Sequence, residues 1–255
     1  MAVALHRNRW LKIGAALTLC LMASLSQAAL VLSGTRVLYP ADQREVTLKL
    51  TNEGNGPILV QAWIDEGDPN ATPDQVKVPF TLAPPLFRLD PKKGQAVRII
   101  YTQEPLAQDK ESLFWLNALE VPPRSADSDG DASRLQLAIR SRIKLFFRPA
   151  GLSGRANDAP EKILWSFARK SDGGYALKAS NPTPYHVTFS KVSVQSGGKN
   201  YVNEDGAMVA PGAAVQLDIG SLSAVDTDIP AVVHYSTIND YGTAVPGEFH
   251  GDAKK

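Results

Sequence analysis

Of the 255 residues, one is cysteine and four are histidine, and these scarcities remove much of the chemistry a chain of this size could carry. Cys20 lies within the first 28 residues, so the rest of the sequence has no thiol nucleophile, no thiolate metal ligand and no disulfide. His186, His234 and His250 are the imidazoles beyond residue 28. None stands at i, i+4 spacing with another ligand, which leaves little from which to build a zinc site. No G-x-S-x-G elbow presents a serine nucleophile, and the glycines form no phosphate-cradling loop ahead of a helix. The expectation is therefore no catalytic residue, no metal and no cofactor. Charge of either sign is also scarce in net terms: the formal charge is +1. Setting aside the first 28 residues leaves 24 basic against 26 acidic side chains, about −2, and no basic field that would favour nucleic acid.

What those first 28 residues do have is the layout of a secretory signal. His6, Arg7, Arg9 and Lys12 make a basic start, Ile13 to Leu25 is apolar, and Ser26-Gln27-Ala28 places small residues where signal peptidase reads. The run falls short of the roughly 20 apolar residues that span a bilayer comfortably. A signal peptide over 1–28, cleaved to leave Ala29 at the mature start, is expected.

Helical periodicity is missing too. Short runs rich in Val, Ile, Leu and aromatics recur instead: VTLKL (46–50), ILVQAWI (58–64), QAVRIIYT (95–102) and SLFWLNALEV (112–121). GNGP, PKKG and VPPR punctuate them. The pattern breaks at RPAGLSGRANDAP (148–160), then resumes with KILWSFARK, GYALKASNPTPYHVTFSKVSV, AAVQLDIGSL and AVVHYSTINDYG. Several short strands on each side of the break predict an all-β chain of two tandem immunoglobulin-like β-sandwiches, at 29–150 and 151–255. Pattern alone leaves open one larger barrel. Trp63, Trp115 and Trp165 each sit in a strand-like run and are expected in the core.

One stretch carries more than fold information. In RLQLAIRSRIKLFFRP (134–149), Leu135, Leu137, Ile139, Ile143, Leu145 and Phe147 share one side, interrupted by Ser141. Gln136, Ala138, Arg140, Arg142 and Lys144 share the other. Read alone, the apolar side is equally a core face or a face offered to a partner.

GTRVLYP, APPLFRLDP, QDKESLFWLNALEVPPR, LQLAIRSRIKLFFRP, ASNPTPYHVTF and TINDYG occur in that order, and the set resembles the periplasmic chaperones of chaperone-usher pili, the PapD-like family. The likeness runs from about Ala29 to Phe249. It implies an L-shaped, two-domain, non-catalytic periplasmic protein that binds and folds pilus subunits by donor-strand complementation and delivers them to an outer-membrane usher. By resemblance, 134–148 is the donor strand, with Leu135, Leu137 and Ile139 as plugs for the subunit's open groove. Ile143, Leu145 and Phe147 are the better core candidates. Fully burying one plug contributes about 1.5–3 kcal/mol, so three supply on the order of 5–9 kcal/mol before ordering costs.

The same resemblance makes Arg36 and Lys144 the anchor for the subunit's terminal carboxylate. Glu111, Arg148 and Asp240 become an interdomain charge network. Lys144 has the opposite parity to the plugs, which predicts a twist or bulge near Ser141. The short polar connection SADSDGDAS is similar to the short-loop branch that builds rod-like adhesive pili. Some relatives carry a disulfide in the second domain, which this chain cannot form. Self-association through the donor strand is a further possibility for an exposed apolar edge. The competing readings are a pilin or adhesin, and a secreted two-domain carbohydrate-binding protein or hydrolase. A pilin should be one domain with an N-terminal donor extension, and a carbohydrate binder should show clustered exposed aromatics.

Overall fold

The computed structural model describes residues 29–123, 137–171, 173–196, 198–222 and 231–251. The expected signal segment, the SADSDGDAS connection and Leu135 lie outside them.

Nine strands build the first half: β1 (Leu30–Leu32), β2 (Arg36–Pro40), β3 (Glu45–Asn52), β4 (Ile58–Asp65), β5 (Phe80–Ala83), β6 (Leu86–Leu89), β7 (Gly94–Tyr101), β8 (Ser112–Val121) and β9 (Ile139–Arg148). They form two sheets, ordered β1-β3-β7-β5 and β2-β9-β8-β4-β6. The leading segment changes sheet between Leu32 and Arg36: β1 pairs antiparallel with β3, whereas β2 pairs parallel with β9. Alternation explains which side chains meet between the sheets. Leu48 and Leu50, Ile58 to Ile64 at every second position, Val97 and Ile99, Phe114 to Ala118, and Leu145 with Phe147 face one another in a single buried cluster. Tyr39 is fully buried there. Its ring stacks on Phe147 of β9 at 6.0 Å, and its hydroxyl donates to the carbonyl of Arg44, just before β3, at 2.9 Å.

Eight strands follow: β10 (Leu164–Arg169), β11 (Tyr175–Ser180), β12 (Val187–Ser196), β13 (Lys199–Asn203), β14 (Ala207–Val209), β15 (Ala214–Leu222), β16 (Ala231–Ile238) and β17 (Ala244–Gly251). Their sheets are β10-β11-β15 and β13-β12-β16-β17, with β14 also on β12. The core is separate from the first and centres on Trp165, Phe189 and Tyr235, whose rings lie 5.3–5.9 Å apart. Two hydrophobic cores, each enclosed by two sheets, make tandem immunoglobulin-like sandwiches and exclude the single larger barrel. The 148–160 break holds a 3₁₀ turn, Ala156–Asp158, and a second, Pro160–Lys162, follows at once.

Trp165 is core as expected, and Trp63 is buried too, though outside the inter-sheet cluster, while Trp115 is only half-buried. Inward positions on β4 and β8 are the even-numbered ones, so both odd-numbered indoles fall on the opposite, outer face.

Candidate functional site

β9 is paired unequally along its two edges. On one side β8 accompanies it from Ser112↔Phe147 to Glu120↔Ile139. On the other, β2 covers only Lys144 to Arg148. From Ile139 to Ile143, among the described residues, no strand takes up the second edge, and its backbone groups are available to an added chain. The core thins over the same stretch. Leu145 and Phe147 are buried and Ile143 packs on the cluster, but Ile139 is 47% exposed and Leu137 64%. These two share the inward parity of Leu145 and Phe147, yet project beyond the end of the filled core.

Of the twist or bulge expected near Ser141, the bulge is absent. The β8–β9 register is unbroken through Ala118↔Ser141, because both faces fix it. Inward residues from Ile143 onward belong to the core, and Arg140, Arg142 and Lys144 each pack against outer-face partners on neighbouring strands. Shifting the phase would sacrifice one set or the other.

At the point where the bare edge meets β2, Arg36 and Lys144 are register partners. They line a cleft of about 370 Å³ with Thr35, Trp115, Ile143 and Ile238. Arg36 donates from Nη1 to the carbonyl of Ile238 at 2.9 Å and its guanidinium lies 5.6 Å from the Phe146 ring centroid. Its Nε is buried without a partner. Burial lowers the Arg36 pKa, with Asp240 and Glu111 acting in the opposite sense. Lys144 has no carboxylate partner among the described residues, and its ammonium sits 5.7 Å from the Trp115 ring centroid. Burial, aided by repulsion from Arg36, lowers its pKa to about 8. Two adjacent, half-buried cations without an anion between them form a site complementary to a carboxylate.

Behind this pair lies the junction of the two sandwiches. Arg148 donates from Nε to Glu111 Oε1 at 2.6 Å, and from Nη1 and Nη2 to Asp240 Oδ2 and Oδ1 at 2.7 and 2.8 Å. Burial works against the Arg148 charge, but its bonds to Asp240 and Glu111 outweigh that and hold its pKa above the ordinary guanidinium range. The structure thus brings together all three residues singled out as a network.

It adds a fourth. The buried Glu111 carboxylate accepts from the His186 backbone N–H at 2.7 Å and lies 3.2 Å from its Nδ1, while the Glu111 N–H donates to the carbonyl of Pro184 at 2.9 Å. Lone-residue patterning gave His186 no such role. Its place in NPTPYH carries no signal until the sandwiches are apposed. Gly242 closes the junction from the β16–β17 turn: its φ is +80°, and a Cβ there would overlap Thr35 Oγ1.

Sequence reasoning also missed the outer face of β9. Asp65, 1% exposed on its side chain, accepts from Arg142 Nη2 at 2.5 Å, Asn117 Nδ2 at 2.7 Å and the Gly67 N–H at 2.7 Å. Arg140 donates from Nε and Nη2 to Asn117 Oδ1 at 2.8 and 2.6 Å. The only sequence hint is Asp65 at the end of an apolar strand, where an unpaired charge could not be buried.

Comparison with known proteins identifies a family. The family described as "Pili and flagellar-assembly chaperone, PapD N-terminal domain" matches residues 29–153, and "Pili assembly chaperone PapD, C-terminal domain" matches 158–249. The chain is 45% identical over 227 residues to the probable fimbrial chaperone YadV of Escherichia coli K12, covering 88% of this chain and 91% of that protein. The crystal structure of the YadV chaperone superposes with a TM-score of 0.73 at 40% identity, over 88% of this chain and all of that one. The Salmonella enterica SafB chaperone, solved in complex with the SafA pilin, gives a TM-score of 0.71 at 28% identity, over 89% and 99% of the two chains.

Proposed function

The chain belongs to the PapD-like family of pilus assembly chaperones, and from that premise we propose that it captures pilus subunits along the bare edge of β9, in the periplasm, and hands them to an outer-membrane usher. It is a pilus-subunit chaperone, in a family whose members are not enzymes. The donor-strand role, the anchor and the usher step are our reading. Its likeness to SafB, which was solved holding a pilin, supports a pilin as the client.

The observation that carries the reading is a strand edge that, among the described residues, has no strand partner and ends at two cations with no carboxylate hydrogen-bonded to either. A chain laid on Ile139–Ile143 with its terminal carboxylate between Arg36 and Lys144 runs in the same direction as β9, in line with β2 beyond it. The carboxylate is a backbone group in the plane of the strand edge. Side chains of outer-face parity can therefore serve it without a bulge. Leu135, Leu137 and Ile139 then project from the inward face into the client, whose own sandwich lacks a strand. Fixing the chain end also fixes register, since a slip of one residue would turn every client side chain to the wrong face.

In this reading Glu111, Arg148 and Asp240 set the angle between a first domain ending near residue 150 and a second that follows it. Residues 1–28 serve for export. The same edge pairs two free chaperones when no client is present.

The test uses a ten-residue peptide of alternating apolar sequence, made as the free acid and as the carboxamide. Calorimetry should show the acid binding at least tenfold tighter to the wild type, and equal weak binding of both to Arg36→Ala and Lys144→Ala. Equal binding of acid and amide to the wild type refutes the anchor. In periplasmic extracts, a chaperone brings down one pilin per chain, whereas a carbohydrate binder is released by sugar.

A further inference from the structure

The bare stretch of β9 is held along one edge by its ladder with β8, and among the described residues no strand pairs its other edge. Ile143 packs on the core, but the inward face before it lies beyond the filled core. Segments with few buried contacts open most readily. Besides the β8 ladder, the outer face holds the stretch, and its contacts converge on one carboxylate. Asp65 Oδ1 and Oδ2 lie 2.5 and 3.3 Å from Arg142 Nη2 and Nε, and Oδ2 lies 3.6 Å from Arg140 Nη2. Asn117, fully buried on β8, donates to Asp65 and accepts the Arg140 fork. Arg140 also donates from Nη1 to the carbonyl of Pro69 at 2.6 Å. Each guanidinium lies over an indole, Arg140 over Trp63 at 4.8 Å and Arg142 over Trp115 at 4.2 Å. Burial raises the Asp65 pKa, and the bonds from Arg142, Asn117 and Gly67 overcome this to leave it lowered, so the carboxylate is charged throughout the neutral range.

We propose that Asp65 is a positioning residue for client capture: through Arg140, Arg142 and Asn117 it holds residues 139–143 as an extended strand before any client arrives. This deepens the proposed strand-donation role and rests on it. A binding segment that is ordered only part of the time weakens apparent affinity by its competent fraction. Asp65 keeps that fraction near one without touching the client. The two arginines on the polar side of the strand are the levers through which it acts.

The test begins with the free, full-length protein, so that it stands apart from client binding. In Asp65→Asn, hydrogen exchange of the residue 139–143 amides bonded to β8 should accelerate at least tenfold, while amides of Leu145 and Phe147 and of β3 and β7 keep their wild-type rates. Association with the acid peptide should slow in proportion to the fraction of molecules in which 139–143 is no longer ordered, with dissociation unchanged. Exchange that stays at wild-type rates in 139–143, or that rises equally across the whole first sandwich, overturns the proposal. If Asp65→Asn fails to fold, Arg142→Met breaks the same contact from the strand side and is read in the same way. Accelerated exchange in 139–143 with acid and amide peptides binding the wild type equally would keep Asp65 as the strand's organiser and refute the anchor.

Discussion

Arg36 and Lys144 face each other across a parallel strand pair, with no carboxylate between them among the described residues, and the lysine is the softer member. Its pKa of about 8 makes it a cation below that pH and a neutral amine above it. Binding of the acid peptide should therefore be constant from pH 6 to 7.5 and weaken from 8 to 9, where roughly one Lys144 in ten stays charged. Calorimetry across this range checks it, and Lys144→Arg should abolish the pH dependence. The unfolded chain binds more protons than the folded one between about 8 and 10.5, so this residue makes stability rise with pH in that window.

Arg148 holds two carboxylates from opposite sides of the domain junction. Arg148→Ala leaves Glu111 buried without its guanidinium partner, a loss of about 3–5 kcal/mol for an uncompensated buried charge. The interdomain angle seen by small-angle X-ray scattering should also broaden. An unchanged scattering curve would show that the network does not set orientation.

Gly242→Ala meets two obstacles at once, a positive φ and the Thr35 hydroxyl. The strain should destabilise the protein by about 1–3 kcal/mol in denaturant titration. Adding Thr35→Ala should recover the steric part and leave the backbone part.

Leu137→Glu tests whether the exposed apolar face is spare to the fold. The melting temperature should stay within about 2 °C of wild type, because a surface change away from special features contributes within about 0.5 kcal/mol. Peptide affinity should fall at least tenfold. Phe147→Ala, on the same face but inside the core, should instead cost about 3–5 kcal/mol of stability.

Much of this was legible because alternation and turn punctuation are local properties. The all-β runs, the break after Arg148 and the shared side of Ile143, Leu145 and Phe147 follow from them, while the choice of these three as core came with the resemblance. Glu111, Arg148 and Asp240 were within reach only through resemblance, since 92 residues separate the guanidinium from its second carboxylate. The outer face of the first sandwich misled. A tryptophan in an apolar strand predicts burial, and Trp63 is indeed buried, but under Arg140 rather than in the core. Period-2 reading assigns sides without saying what covers the outer one. The bulge expected at Ser141 failed for a related reason: parity was counted as though the lysine had to meet a side chain, whereas its cleft opens at the strand edge.

The vacancy on β9 begins where the leading segment crosses from one sheet to the other, between Leu32 and Arg36. That crossover acts as a ruler. Moving it two residues toward the N-terminus would lengthen β2, shorten the berth by two and keep guest side chains in phase, while moving it by one would invert them. In the proposed capture, the length of segment that can be seated is thus set by where β2 begins, within residues 29–40, rather than by the strand that does the seating.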